Sequence, residues 1–208
     1  MRTLFRLLRY FLIKAQEINE NLKYDYSTIA EKFRKQGAKI GKNCFFQISS
    51  LASEPYLVEI GDNVSVAQGV KFITHDGASV IFREAFPALR YFGKIVVENN
   101  CFIGEGSIVM AGVKIGTNSI IGPMSVVFKD VKPGSMVIGN PAIQVSRTEK
   151  YRERCLQEWE NQGLGKFDLL FEGKNKYQVQ NIMLSEKFRK ELKEHLLSIE
   201  FRENNSKR

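Results

Sequence analysis

A six-residue repeat is the feature of this sequence that most restricts its fold. In steps of six, the chain places a β-branched aliphatic residue at Val97, Ile103, Val109, Ile115, Ile121 and Val127. Four positions after each of these stands a small residue: Cys101, Ser107, Val113, Ser119, Ser125 and Val131. The pattern also occurs upstream, at Ile40, Phe46, Ile60, Val66 and Phe72. Because one repeat cannot bury its own aliphatic side chain, the repeats must stack, which predicts an all-β solenoid with three short strands per coil.

The repeat is interrupted twice. Phe46 and Ile60 are 14 positions apart, two more than two repeats require. Phe72 and Val97 are 25 positions apart, and residues 76–94 carry none of the pattern. A long loop that leaves a regular solenoid usually serves a ligand or a partner subunit. This loop begins directly after His75, which makes that histidine the first candidate for chemistry.

The segments on either side of the repeat are of a different kind, so we divide the chain into residues 1–36, 37–145 and 146–208. Residues 1–16 have an apolar arc opposite three arginines, which predicts an amphipathic helix. That helix either makes peripheral contact with an anionic membrane surface or, as we prefer, caps the solenoid or packs on a neighbouring subunit. The segment 146–208 is predicted to be a helical extension in which Ser185 caps a helix and His195 packs on its apolar stripe.

Composition excludes several classes of protein. The net charge of +8 resides mainly in the two end segments, and aromatic and basic residues are not interleaved, so we expect no nucleic-acid partner. The three cysteines have neither zinc spacing nor a disulfide pattern, which indicates a reducing cytoplasm. The amphipathic helix of residues 1–16 adds the inner face of the membrane as a further predicted location. Two histidines are too few for the three-histidine zinc site of a γ-type carbonic anhydrase, so we expect no metal.

Two stretches carry a resemblance to a known family. They are VEIGDNVSVAQGVKFITHDG (58–77) and ENNCFIGEGSIVMAGVKIGTNSIIGPMSVVFKDVKPGSMVIGNPA (98–142). They resemble the left-handed β-helix hexapeptide-repeat acetyltransferases, and most of all the capsular or surface-polysaccharide O-acetyltransferases. The resemblance covers about residues 37–145. It implies a left-handed parallel β-helix, a homotrimer, and acetyl-CoA bound between neighbouring subunits.

By this resemblance His75 is the catalytic base. The chemistry agrees, because a sugar hydroxyl must lose its proton as it attacks a thioester, and an imidazole with a pKa near 6.5 accepts protons at neutral pH. Direct transfer is favoured over a covalent acetyl-enzyme, because neither Cys44 nor Cys101 is plausibly directed at a base. Two carboxylates are candidates to orient the imidazole, Asp76 and Glu54, and we include Asp76 in the predicted catalytic set.

The resemblance also implies which residues line the coenzyme, whereas the residues that bind the acceptor are predicted from the loop at 76–94. Family positions that line the coenzyme correspond to Phe102, Glu105, Ala111, Pro123, Ser125, Phe128 and Lys129. Three of them depart from the family pattern: Phe102 stands where relatives often carry Trp, Pro123 has no N–H to donate, and Phe128 replaces a usual Thr or Ser. In the loop, Arg83, Arg90 and Tyr91 are predicted to hold an anionic or hydroxyl-rich saccharide.

The predicted function is therefore an acetyl-CoA-dependent O-acetyltransferase. Its acceptor is expected to be a saccharide, either a capsular or other surface polysaccharide or its precursor. Two alternatives stay open at this point. One is N-acetylation of an amino sugar or a small molecule, and the other is a β-helix scaffold without catalysis.

Overall fold

The computed structural model describes residues 10–11, 24–25, 28–174, 179, 183 and 185–198. The amphipathic helix predicted for residues 1–16 therefore lies outside the described residues, apart from Tyr10 and Phe11. The chain divides into two compact units, Met1–Thr148 and Glu149–Arg208.

Very short strands build the first unit. They are β1 (Lys39–Ile40), β2 (Phe45–Phe46), β3 (Val58–Ile60), β4 (Ser65–Val66), β5 (Lys71–Phe72), β6 (His75–Asp76), β7 (Tyr91–Phe92), β8 (Ile95–Val97), β9 (Phe102–Ile103), β10 (Ile108–Val109), β11 (Lys114–Ile115), β12 (Ile120–Ile121), β13 (Val126–Val127), β14 (Ser135–Ile138) and β15 (Ile143–Arg147). Sheet 1 has the order β1-β3-β8-β11, sheet 2 the order β2-β4-β9-β12-β14-β15, and sheet 3 the order β5-β10-β13. Within these sheets the strands pair in parallel, except that β14 and β15 are antiparallel.

From β3 to β5 and from β8 to β13, successive strands belong to sheets 1, 2 and 3 in turn, so three strands complete one coil before the next begins. This agrees with the predicted solenoid of three strands per coil. The aliphatic residues at six-residue spacing, from Val97 to Val127, are at most 1% exposed. The small residues that follow them, from Cys101 to Val131, are also buried. The interior is therefore the one that the two columns of the repeat predict.

The corners of the coils need left-handed backbone. Between sheets 1 and 2, at the first corner, four asparagines occupy this conformation with φ of 55 to 58° in successive coils: Asn43, Asn63, Asn100 and Asn118. The side-chain amide of Asn63 donates to Asn100 Oδ1 (3.0 Å), and that of Asn100 donates to Asn118 Oδ1 (3.2 Å). Asparagine tolerates a left-handed backbone better than most residues. At the second corner, between sheets 2 and 3, Met124 has φ of 55° without that advantage.

Both ends of the solenoid are covered. Helix α1 (Ile29–Lys35) packs Phe33 edge-on against Phe46, with ring centroids 5.4 Å apart. Arg34 of this helix donates from Nε to the carbonyl of Ile40 (3.0 Å) and from Nη2 to that of Gly41 (2.6 Å). These bonds satisfy carbonyl groups at the edge of the first coil, which would otherwise offer a free sheet edge. At the far end, β15 turns back against β14.

The second unit is helical, as the sequence predicts for this extension. It contains α2 (Thr148–Asn161), a 3-10 turn (Leu164–Phe167), α3 (Asp168–Phe171) and α4 (Glu186–Ser198). Ser185 Oγ accepts the N–H of Phe188 (3.2 Å), which is the predicted helix cap. His195 packs edge-on against Phe167, and its Nε2 lies 2.7 Å from the carbonyl oxygen of Gln162. Within the described parts of both units, no helix is long and apolar enough to cross a membrane.

Candidate active site

The two interruptions of the repeat meet at one place. The first interruption lies on the third side of the first coil, after β2, where Glu54 precedes a 3-10 turn at Pro55–Leu57. The second begins after β5 and forms an antiparallel hairpin of β6 and β7 before the chain returns to sheet 1 at β8. Glu54 Oε2 lies 2.9 Å from His75 Nδ1. The pair of titratable groups is therefore built from the two segments that do not follow the repeat.

Three side chains form a connected hydrogen-bond network at this place. The hydroxyl of Thr74, which is only 1% exposed, donates to the same Glu54 Oε2 that contacts His75. The hydrogen bond from Thr74, and then the one from His75, holds the pKa of Glu54 below its ordinary value of 4.5. Glu54 is thus a carboxylate at neutral pH. It accepts the proton on Nδ1, which leaves His75 Nε2 as the basic nitrogen.

The side chain of the histidine is more exposed to solvent than that of its carboxylate partner. The side chain of His75 is 38% exposed, and that of Glu54 is 17% exposed. A ring that is partly open on one side and held by a carboxylate on the other is the arrangement that a general base requires. Geometry and charge therefore make His75 the candidate base of the described residues.

Of the two carboxylates considered as its partner, the structure places Glu54 against the ring. Asp76 Oδ1 instead accepts the N–H of Ala78 (2.7 Å), at the start of a 3-10 helix over Ala78–Phe82. The reason is the alternation of side chains along β6, which directs neighbouring residues to opposite faces of the hairpin. Asp76 therefore holds the beginning of the loop and makes no contact with the imidazole among the hydrogen bonds of the described residues.

The same alternation separates the two aromatic residues of β7. Phe92 is paired directly opposite His75, and the two ring centroids are 5.9 Å apart. Tyr91 is paired opposite Asp76, and a Cβ placed on Gly112 would lie 3.0 Å from its hydroxyl. The half-exposed ring beside the candidate base is thus Phe92, whereas Tyr91 was the residue predicted to contact the acceptor. Only the register of the hairpin could have distinguished them.

The loop that joins β6 to β7 is apolar as well as cationic. Arg83 and Arg90 are exposed, as an anion-binding role requires, and Arg90 Nη1 donates to the carbonyl of Leu89 (2.7 Å). Five large apolar side chains are exposed beside them: Val80, Ile81, Phe82, Phe86 and Leu89. The prediction from the loop's arginines and tyrosine does not include this apolar surface, which only the structure shows.

The residues predicted to line the coenzyme fall into two groups. Ala111, Phe128 and Lys129 follow β10 and β13 at the third corner, where sheet 3 leads back to sheet 1. His75 follows β5 at the same corner, because β5, β10 and β13 are in register. Phe102 lies in β9 of sheet 2, and Glu105, Pro123 and Ser125 lie at the second corner. One side of the coil therefore separates the two groups within a single chain.

Ser125 differs from the other members of the coenzyme set. Its side chain is buried, its hydroxyl donates to the carbonyl of Pro123 (3.4 Å) and it accepts the N–H of Gly139 (3.1 Å). The hydroxyl is thus used inside the coil, and a close approach of the coenzyme arm to the backbone at this small residue stays a prediction. Phe102 and Phe128, in contrast, expose about half of their side chains.

The described residues contain no cluster of three His, Cys, Asp or Glu side chains that is arranged to hold a metal ion. Cys44 and Cys101 are buried, and burial raises the pKa of the Cys101 thiol to about 11. Cys101 is therefore a protonated thiol at neutral pH, which agrees with the preference for direct transfer.

Comparison with known proteins identifies the family. The family model described as bacterial transferase hexapeptide (six repeats) matches residues 94–129. Protein CapG of Staphylococcus aureus is 40% identical, over 61% of this chain and 76% of that protein. The chain belongs to the hexapeptide-repeat transferase family. It is an enzyme of the acyltransferase class.

Other relatives of this transferase are named as acetyltransferases. The chloramphenicol acetyltransferase of Klebsiella aerogenes is 34% identical, over 51% of this chain and 60% of that protein. A putative acetyltransferase of Schizosaccharomyces pombe is 28% identical, over 65% of this chain and 61% of that protein. The chain thus spans about three-fifths of the length of these two relatives. The hexapeptide-repeat acetyltransferase VCA0836 of Vibrio cholerae has the same fold, with a TM-score of 0.51, 21% identity, and coverage of 65% of this chain and 90% of that one.

Proposed function

We propose that this transferase moves an acetyl group from acetyl-CoA to a hydroxyl of a saccharide, which is a capsular or other surface polysaccharide or its precursor. The observation that carries the proposal is the partly exposed His75 held by the Glu54 carboxylate at 2.9 Å. Membership of a hexapeptide-repeat transferase family supports acyl transfer. The resemblance of residues 58–77 and 98–142 to capsular O-acetyltransferases supports the choice of acceptor.

In the proposed reaction, His75 moves one proton. Its Nε2 accepts the proton of the acceptor hydroxyl while that oxygen attacks the carbonyl carbon of the thioester. Glu54 stabilises the imidazolium that forms, as a buried carboxylate does beside a catalytic histidine. When the carbon–sulfur bond breaks, the imidazolium returns the proton to the departing thiolate. Backbone N–H groups of the coil are the proposed donors to the oxyanion of the tetrahedral intermediate.

We further infer that the active site lies between subunits of a homotrimer of left-handed coils. Support comes from the positions of the coenzyme candidates. Within one chain some of them lie at the third corner, beside His75, and others lie at or near the second corner. Two neighbouring chains can each present one of these corners to a single ligand. The outer face of sheet 2 supports self-association, because it aligns apolar residues in register across three successive coils: Phe102, Ile120 and Met136.

The acceptor is proposed to enter beside the hairpin. Phe92 offers an aromatic face next to the base, and apolar C–H faces of sugar rings pack on such faces. Arg83 and Arg90 stay the candidates to bind an anionic group of the saccharide, because both are exposed on the loop. Phe92 replaces Tyr91 in this proposal, since Tyr91 lies on the other side of β7.

Release of free thiol from acetyl-CoA, with and without de-acetylated capsular saccharide, tests the proposal. We expect saccharide-dependent release by the wild type and its loss in His75→Ala. His195→Gln is the matched control, because it changes the second histidine, which packs in the helical unit, and should keep activity. A higher rate with an amino sugar would favour N-acetylation. Absence of release with every acceptor would contradict the proposed acceptor class.

A further inference from the structure

We propose that Thr74 is a positioning residue that acts on His75 through Glu54; this inference rests on the proposed role of His75 as base. Thr74 is buried, and its hydroxyl donates to Glu54 Oε2, the oxygen that also contacts His75 Nδ1. One carboxylate oxygen therefore accepts from two donors. Thr74 itself cannot touch a substrate, because only 1% of its surface is accessible.

The position of Thr74 in the coil explains why a hydroxyl is needed there. Thr74 stands two positions after the end of β5, and the corresponding positions after β10 and β13 hold Ala111 and Lys129, neither of which has a hydroxyl. A buried hydroxyl without a partner would destabilise the fold. Here the partner is Glu54, which lies in the irregular segment of the coil that precedes the coil of Thr74. The hydroxyl is thus placed where the irregular segment supplies an acceptor.

The hydrogen bond from Thr74 restrains a side chain that the repeat does not hold. Glu54 has several rotatable bonds and lies in a segment outside the strands, so its carboxylate can turn away from His75 unless a second donor holds it. Held by Thr74, the carboxylate keeps the His75 proton on Nδ1 and leaves Nε2 free to accept a proton. The loss of the hydroxyl should therefore reduce the fraction of enzyme with a correctly oriented ring.

The kinetic test uses the full chain and four variants. Thr74→Val keeps the branched shape and removes the hydroxyl, whereas Thr74→Ser keeps the hydroxyl. We expect Thr74→Val to lower kcat three- to tenfold, with the KM of acetyl-CoA and of the saccharide unchanged within twofold, and Thr74→Ser to restore kcat to within twofold of the wild type. Because Thr74 acts through Glu54, adding Thr74→Val to Glu54→Gln should change kcat less than twofold further.

Ser119→Ala is the matched control for the loss of a buried hydroxyl. Ser119 is fully buried at the first corner and donates to the carbonyl of Lys132 (3.1 Å), away from the His75 corner. We expect this variant to be less stable and to keep the wild-type kcat. A wild-type kcat in Thr74→Val, a failure of Thr74→Ser to restore activity, or an equal loss in the Glu54→Gln background would overturn the proposal.

A measurement that does not need turnover separates this inference from the proposed function. The chain has two histidines, so imidazole nitrogen NMR spectra can be assigned with the His195→Gln variant. We expect the His75 ring of the wild type to carry its proton on Nδ1, and Thr74→Val to increase the share of the Nε2-protonated form. An unchanged ring in Thr74→Val would refute the positioning role even if no acceptor were ever acetylated.

Discussion

The substitution Glu54→Gln is the most direct test of the candidate site. The amide has the shape of the carboxylate and lacks its charge, so the imidazolium formed during proton transfer loses its counter-ion. A hydrogen bond to a charged group contributes about 1.5–3 kcal/mol. His75 is 38% exposed and Glu54 17% exposed, so solvent screens part of this interaction, and we take about 2 kcal/mol. Since 1.36 kcal/mol corresponds to a factor of ten, kcat should fall about 30-fold.

The assay is steady-state thiol release with acetyl-CoA and de-acetylated saccharide. Glu59→Gln is the control for loss of a carboxylate, because Glu59 pairs with Lys39 (2.6 Å) and Lys94 (2.7 Å) on the outside of sheet 1. We expect its kcat to equal that of the wild type. A decrease of less than threefold in Glu54→Gln would refute the reasoning. A larger loss in Asp76→Asn than in Glu54→Gln would assign the orienting role to Asp76 instead.

Three further predictions concern stability. Ile103→Ala, in the middle of the solenoid, should lower the free energy of unfolding by about 3–4 kcal/mol in chemical denaturation, because Ile103 is fully buried between its stacked neighbours; a loss below 1.5 kcal/mol would contradict a close-packed interior. Met124→Asn should raise the free energy of unfolding by about 0.5–1 kcal/mol, because asparagine tolerates the left-handed backbone; a decrease would show that the Met124 side chain itself stabilises the corner. Lys114 and Thr117 hold the pKa of Glu98 at about 2 instead of 4.5, so its contribution is complete above pH 4.5 and is lost as the pH falls toward 2. Stability curves of wild type and Glu98→Gln should therefore converge over that interval, and parallel curves would contradict the shift.

Much of the solenoid could be predicted because its interior follows a local rule. Each inward aliphatic residue, such as Ile103, is buried by residues six positions away and by the next coil, so spacing along the chain predicts burial. The prediction for Ser185 as a helix cap also depended on a few neighbouring residues. The asparagines at the first corner follow a local rule as well, but the second interruption places Asn63 and Asn100 37 positions apart and hides their alignment.

The candidate site was predictable only in part. The family resemblance and the break in the repeat together select His75 as the candidate base, and its catalytic role stays a prediction. The choice between Glu54 and Asp76 as its partner was not predictable, because it depends on how the 14-position segment between Phe46 and Ile60 folds in three dimensions. In the same way, only the structure shows that the Ser125 hydroxyl is buried and hydrogen-bonded inside the coil.

The sequence by itself therefore determined the coil, its interior, the helical extension and the histidine at the break. Each of these depends on residue type at a regular or short spacing, which a linear pattern records. The tertiary structure decided which carboxylate contacts His75, which aromatic ring of β7 lies beside it, and that the coenzyme candidates occupy two corners. Those outcomes depend on strand register and on contacts between irregular segments, where a shift of one residue turns a side chain to the opposite face.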